Sequence, residues 1–336
     1  MTHCQQQKEN SCGRWQRIKT VVCALKGMIL LVPTVLILFA MLGAWTCRFI
    51  APSDFMPIAY LGLGFPLTLI VYIIWVFVLV IFGSKKLLLL LSPTAICLPI
   101  MLDTFPVNIS PSEDSNIKKY KILTYNVGAF LYEENSASGI AKLIKEGDYD
   151  IVCMQEYILH KVEENKDFQN VIKDFPYSTV GEMSNDSYNR VATLSKHKII
   201  KSGLASKGKG HNTAIYSDLI IEDDTIRVVN AHLASNEISF SDKQEIDSIK
   251  HGLDVDNVRY KGQMLYKKMT ENYIIREQMA NDIDSVVAMS KYKMIVGGGG
   301  AYNKYIRIYT KFLKLWQTEQ KTYSQNRGLL KMQLIY

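Results

Sequence analysis

Two regimes of hydrophobic patterning divide the chain. Up to Pro106 the apolar positions form unbroken runs; beyond it they alternate or recur at helical spacing. Residues 21–45 are apolar apart from Lys26, and residues 56–82 are uncharged and rich in Leu, Ile, Val and Trp. A hydrocarbon core of roughly 30 Å needs about 20 such residues, so both runs predict membrane-crossing helices. Residues 87–102 form a shorter run interrupted by Pro93 and Pro99, which fits a third span or a partly re-entrant piece. A cleaved leader does not fit the first run, which is too long and is followed by further apolar runs.

Residues 106–116 are polar and proline-bearing and read as a linker. After them, short β-like runs alternate with helical stretches. Residues 122–127, 151–154, 190–194, 213–216, 226–229 and 294–296 predict strands, with Asp223-Asp224 as a hairpin-type turn. Residues 138–146 and most of 241–290 carry helical periodicity, the latter through Ile274, Met279, Ile283, Val286 and Val287. Strands and helices mixed in this order suit a layered α/β or α+β domain. The organisation expected is a cytoplasmic tail at 1–20, a transmembrane region of two to three helices at 21–102, a linker at 103–117, and a soluble domain at 118–336 that looks incomplete at its C-terminal end.

Charge refines this picture. The net charge of +7 is unevenly placed. The tail carries Lys8, Arg14, Arg17 and Lys19; the first loop has Arg48 balanced by Asp54; the turn before the third run has Lys85 and Lys86. Positive residues stay on the cytoplasmic side, which puts the N-terminus inside. With three spans the soluble domain is extracytoplasmic, periplasmic or extracellular; with two it is cytoplasmic. From Lys291 onward, Lys and Arg face a single acid, Glu319, a pattern that fits phosphates, an anionic membrane surface or plain solvation. Of the six cysteines, Cys153 alone lies in the soluble region, inside an apolar run. It reads as a buried small hydrophobe, and no disulfide framework is expected there.

Hydrolysis of a phosphate ester asks for a divalent cation on a phosphate oxygen, a base to activate water, and donors to hold the developing charge. Magnesium takes one or two carboxylates plus waters, and histidine supplies a proton or a hydrogen bond. Ends of the expected strands carry such groups in four ordered motifs: Leu123-Thr124-Tyr125-Asn126-Val127, Asp150-Ile151-Val152-Cys153-Met154-Gln155-Glu156, Val229-Asn230-Ala231-His232-Leu233 and Gly300-Ala301-Tyr302-Asn303. Together they resemble the signatures of the endonuclease/exonuclease/phosphatase superfamily, the deoxyribonuclease-I-like proteins, over residues 118 to about 331. Thr193-Leu194-Ser195-Lys196 and Ala214-Ile215-Tyr216 add weaker similarity. The resemblance implies an α+β fold, a four-layer α/β/β/α sandwich, preceded here by the helical transmembrane region. It implies Glu156 and Asn126 at a Mg2+ (or Mn2+) ion, and His232 facing the scissile phosphate, with Asn230 and Asn303 as further catalytic residues. The implied partner is a phosphate-ester substrate (nucleic acid, phospholipid headgroup or phosphorylated small molecule), with the lipid bilayer beside it. The oligomeric state is not implied.

Two departures stand against full activity. Ala301 occupies the place of the family's aspartate, and alanine neither ligates a metal nor accepts a proton. The family's closing Asp-His pair has no counterpart: the last histidine is His251, and Gln333 stands where an aspartate is expected in a strand-like ending at 330–336. Loss of one general acid or base removes a factor of about 10² to 10⁴, and groups that act as a unit are not additive. Three readings therefore stay open: an impaired metal-dependent phosphodiester or phosphomonoester hydrolase, a catalytically inactive membrane-tethered binding or scaffold module retaining the fold, and a chain altered at its C-terminus. The glycine run 297–300 lacks the Lys-Ser/Thr of a phosphate loop and reads as a pliable strand end. His211 and His251 lie in polar stretches and are expected to be exposed.

Overall fold

The computed structural model describes residues 3–83, 85, 94, 96–98, 100–102, 119–131, 135–181, 189–210, 212–234, 255–299 and 331–335. The chain forms two compact units, Met1–Asn108 and Ile109–Tyr336.

In the first unit, helix α1 runs over His3–Thr46 and passes through Pro33. The expected tail and first span are thus one continuous helix. Its stretch Gly27–Thr46, with mean hydropathy 2.4, is long and apolar enough to cross a membrane. The run expected as one second helix is instead a pair, α2 (Met56–Leu63) and α3 (Phe65–Ile81), bent by 60°. The cause is local: Pro66 has no N–H and its ring excludes the carbonyl one turn back, so the helix breaks at Gly64. Taken together the bent pair is a second candidate span by length and composition. Of the third apolar run, Thr94, residues 96–98 and residues 100–102 are helical; its remainder lies outside the described residues. Among the described residues of this unit, Thr34 is fully buried and its hydroxyl is paired, as burial demands. Trp75 Nε1 donates to Thr34 Oγ1 at 2.9 Å, and that hydroxyl donates to the Leu30 carbonyl at 2.6 Å.

The second unit stacks two sheets. Strands β1 (Lys119–Asn126), β2 (Ile151–Ile158), β3 (Tyr177–Val180), β4 (Asn189–Ser195) and β9 (Lys331–Ile335) make one sheet in the order β3-β4-β2-β1-β9. Strands β5 (Ile199–Lys207), β6 (Thr213–Ile221), β7 (Asp224–His232) and β8 (Lys293–Gly299) make the other in that order. Period-two alternation divides the side chains between faces. Tyr120, Ile122, Ile151 and Cys153 meet Leu219, Ile221, Ile226, Val228 and Ile295 between the sheets. On the outer face of the first sheet, Leu123, Val152, Met154 and Leu194 pack against α4 (Ser136–Gly147), α5 (Leu159–Glu164) and α6 (Lys166–Lys173). On the outer face of the second, Ala214, Val229, Ala231 and Val296 pack against Met279, Ala280 and Ile283 of α7 (Val255–Ala288). The result is the expected α+β sandwich of four layers.

Two local details set the geometry. The β6–β7 hairpin turns at Glu222-Asp223, one residue earlier than expected, and Glu222 takes the positive φ of 56°. Within that hairpin the Arg227 guanidinium forks onto both oxygens of Asp218, at 2.7 and 2.9 Å, and its Nη1 donates to the Val286 carbonyl of α7 at 3.2 Å. The hydrogen bond to Asp218 raises the Arg227 pKa above its ordinary value. One end of α7 is thereby pinned beside the start of β7.

Candidate active site

Between the sheets the side chains change character along the strands. The apolar layer described above gives way to a buried polar layer of Thr124, Gln155, Thr193 and Asn230. Gln155 Nε2 donates to Asn230 Oδ1 at 2.8 Å and to Thr124 Oγ1 at 3.2 Å. Asn230 Nδ2 donates to the carbonyls of Met154 at 3.2 Å and Ala192 at 2.9 Å. One amide on β7 therefore ties the second sheet to β2 and β4 of the first. Such polar groups are tolerated in a core because each is satisfied. The sheets approach closely here because β8 offers Gly297: a Cβ at that position would lie 3.3 Å from Thr124 Oγ1.

Beyond the polar layer the sandwich opens, and Asn126, Glu156 and His232 meet at the C-terminal ends of β1, β2 and β7. Glu156 arrives there by a β-bulge. Met154 pairs with Ala192 and Tyr157 with Arg190, so β2 carries one residue more than β4 over this interval. Bulges bend a strand and re-aim side chains, and Glu156 takes φ 55° within this one. A non-glycine residue in that region costs about 1–3 kcal/mol and persists only where the surroundings enforce it. The turn that follows β1, just past Asn126, is left-handed as well, with φ of 56°, 57° and 57° at Gly128, Ala129 and Phe130. Phe130 is wedged edge-on against Tyr157 and Phe168, which secures the turn.

Glu156 Oε1 accepts a hydrogen bond from Asn126 Nδ2 at 2.8 Å and lies 3.6 Å from His232 Nε2. Asn126 Oδ1 accepts from the Gly128 amide at 2.9 Å. A backbone N–H can only donate, so this contact fixes which end of the Asn126 amide faces the carboxylate. The Glu156 side chain is about a quarter exposed (27%), while that of His232 is nearly enclosed (8%). Nearby, Cys153 is fully buried, and desolvation pushes its thiol up to about 12, with a hydrogen bond to Thr193 acting in the opposite direction. Burial likewise pushes the Tyr157 hydroxyl to about 12.

Of the residues expected at the site, Asn126, Glu156 and His232 are thus brought together. Asn230 lies beneath them at 0% exposure, its amide spent within the protein. Ala301 and Asn303, like His211 and His251, lie outside the described residues. Gln155, Thr124 and Thr193 belong to the same arrangement; they lie within the motifs but have no assigned role there. Their signal in the sequence is a polar residue at an inward position of an otherwise apolar strand.

The donor set can be tested against a divalent cation. Among the described residues no group of three His, Cys, Asp or Glu gathers closely enough to cage a metal ion. Glu156 presents one carboxylate to the open end, its Oε2 without a protein partner among the described residues, and Asn126 turns its N–H rather than its oxygen toward it. That set fits a hydrated magnesium-type ion, which needs one or two carboxylates and keeps several waters. It does not fit a closed structural site.

Comparison with known proteins adds independent findings. Residues 123–279 match the model of the Endonuclease/Exonuclease/phosphatase family, and residues 27–104 match a domain of unknown function, DUF8431. None of the curated proteins is similar in sequence. Among solved structures, TDP2 from Caenorhabditis elegans is 12% identical, with 53% of this chain and 45% of that one covered and a TM-score of 0.33. A β-hairpin deletion mutant of beta toxin from Staphylococcus aureus is 19% identical over 60% of this chain and 72% of that one, with a TM-score of 0.38. An endonuclease/exonuclease/phosphatase family protein from Leptotrichia buccalis is 15% identical over 52% and 65%, with a TM-score of 0.32. The chain spans about half the length of the first of these.

Proposed function

Because residues 123–279 form a domain of the endonuclease/exonuclease/phosphatase family, a family of phosphoesterases, we propose that the chain is a membrane-anchored, divalent-metal-dependent hydrolase of phosphodiesters or phosphomonoesters. The observation that carries the reading is the strained Glu156, turned by a bulge into the open end of the sandwich and held there by Asn126, facing His232 at 3.6 Å. A Mg2+ or Mn2+ ion, when bound at Glu156, supplies positive charge to a phosphoryl oxygen. Asn126 keeps the carboxylate aimed through its hydrogen bond to Oε1. His232 Nε2 donates a hydrogen bond to the phosphoryl group, or passes it a proton. Asn230 and Gln155 act through others: they hold β7 and β2 in register across the sandwich, so the imidazole and carboxylate keep their spacing. Asn303 is proposed as a further catalytic residue on the family resemblance of its motif. The N-terminal apolar unit supplies the anchor, with the bent α2–α3 pair as its second span and the third apolar run as a third. The N-terminus is assigned to the cytoplasm and the second unit to the far side. Nucleic acid, a phospholipid headgroup and a phosphorylated small molecule all satisfy this chemistry.

A second reading, an inactive tethered module, is favoured by Ala301 at the place of the family's aspartate. Turnover of a generic phosphodiester by the purified chain with magnesium or manganese, beside Glu156→Ala and Ala301→Asp, decides between them. Metal-dependent turnover lost in Glu156→Ala supports the hydrolase. Silence in the native chain with a gain in Ala301→Asp supports the module.

A further inference from the structure

Helix α7 is 34 residues long, yet it is anchored over its second half. Arg276 Nε donates to the Ala234 carbonyl at 2.7 Å, just past the end of β7, and Arg227 at the start of β7 holds the Val286 carbonyl. The helix therefore runs antiparallel to β7, and everything before Asn272 continues past the strand end that bears His232. At 1.5 Å per residue the stretch 255–271 reaches about 25 Å beyond it. From Arg259 to Glu271 every residue is at least partly exposed.

The composition of this arm is unusual for a solvated helix. Tyr260, Met264 and Tyr266 are 64%, 54% and 52% exposed. Between Arg259 and Thr270 stand Arg259, Lys261, Lys267 and Lys268 and no acid. Tyr260 and Met264 share a face at i, i+4 spacing, and Lys267 falls on the same stripe. Single exposed apolar residues need no explanation, but a cluster of them does.

We propose that the arm formed by residues 259–270 docks onto an anionic lipid bilayer. The cations match lipid phosphates, tyrosine suits the headgroup level with an apolar body and a polar tip, and Met264 contributes apolar surface that would have no base to stack on in a nucleic-acid groove. The same chain carries a helix, Gly27–Thr46, apolar enough to sit in a bilayer. Docking goes beyond the phosphoesterase reading and does not depend on turnover.

Hydroxyl-radical footprinting of the full chain in nanodiscs tests it, with oxidation of Met264, Tyr260 and Tyr266 read by mass spectrometry. Met289, 77% exposed just beyond the other end of the same helix, is the internal reference. Discs containing phosphatidylglycerol are expected to protect Met264 at least about threefold relative to pure phosphatidylcholine discs, with Met289 unchanged. The triple variant Lys261→Glu, Lys267→Glu, Lys268→Glu is expected to abolish that protection. Equal oxidation whatever the lipid, including a chain that stays off the discs, overturns the proposal. So does protection that appears in phosphatidylcholine discs on adding a single-stranded oligonucleotide and not with anionic lipid, which would assign the arm to nucleic acid.

Discussion

At the scale of single residues, the site depends on orientation more than on the number of ligands. Glu156 is one carboxylate on a strained backbone, steered by one amide. On the proposed metal role of Glu156, Asn126→Ala should leave the fold intact and weaken Mn2+ binding about 10–100-fold, the usual effect of losing an outer partner; electron paramagnetic resonance of free manganese measures it directly. Cys153 gives a prediction of a different kind. Burial pushes its thiol from an ordinary 9.0 up to about 12, so the native state holds this proton more tightly. That contribution is complete below about pH 9 and disappears as pH rises toward 12. Urea midpoints measured at about pH 8 and pH 10.5 should fall less in Cys153→Val than in the native chain, although Tyr157 leaves part of the alkaline loss in both. Glu156 and His232 stood out in the sequence because a polar residue closing an apolar strand is conspicuous. Asn230 stood out for the same reason, but its neighbours across the sheet interface enclose it, and no local pattern records which partners will.

At the scale of elements, strands with apolar alternation were legible and those without it were not. β1, β2 and β7 follow from their inward isoleucines and valines. β3, four residues long and at most half-buried, and β5, exposed over most of its length, lack that signal because one side of each faces water. Arg276 was equally hidden: a guanidinium at a core position of α7, with 0% exposure and the Tyr273 ring 4.7 Å away, breaks the apolar periodicity that marks the rest of the helix. The break between α2 and α3 was written in Pro66, but an uncharged run invites reading as a single helix. Where β8 crosses Thr124, the packing is at its limit. Gly297→Ala should lower stability by about 1–2 kcal/mol, since the added methyl must push Thr124 and part the sheets by a few tenths of an ångström. A shift in the urea midpoint with unchanged slope would register it.

At the scale of the whole molecule, the two units differ in how they are held together. In the first, Trp75 and Thr34 pair their polar atoms among apolar helices; among the described residues the second has three apolar clusters, on both outer faces and between the sheets. Residues 109–336, expressed alone, should therefore melt in one cooperative transition, with calorimetric and van't Hoff enthalpies in agreement. A gradual, non-cooperative melt would mean that the domain needs the rest of the chain. The bulge in β2 has a consequence for how such a chain can evolve. Deleting Gln155 or Glu156 would restore a regular ladder with β4, relieve the left-handed backbone, and either shift the carboxylate from the open end or remove it. Random drift toward a smoother strand is drift away from the proposed chemistry, so single-residue gaps at this point in related chains should mark lineages in which selection on the proposed reaction has ceased.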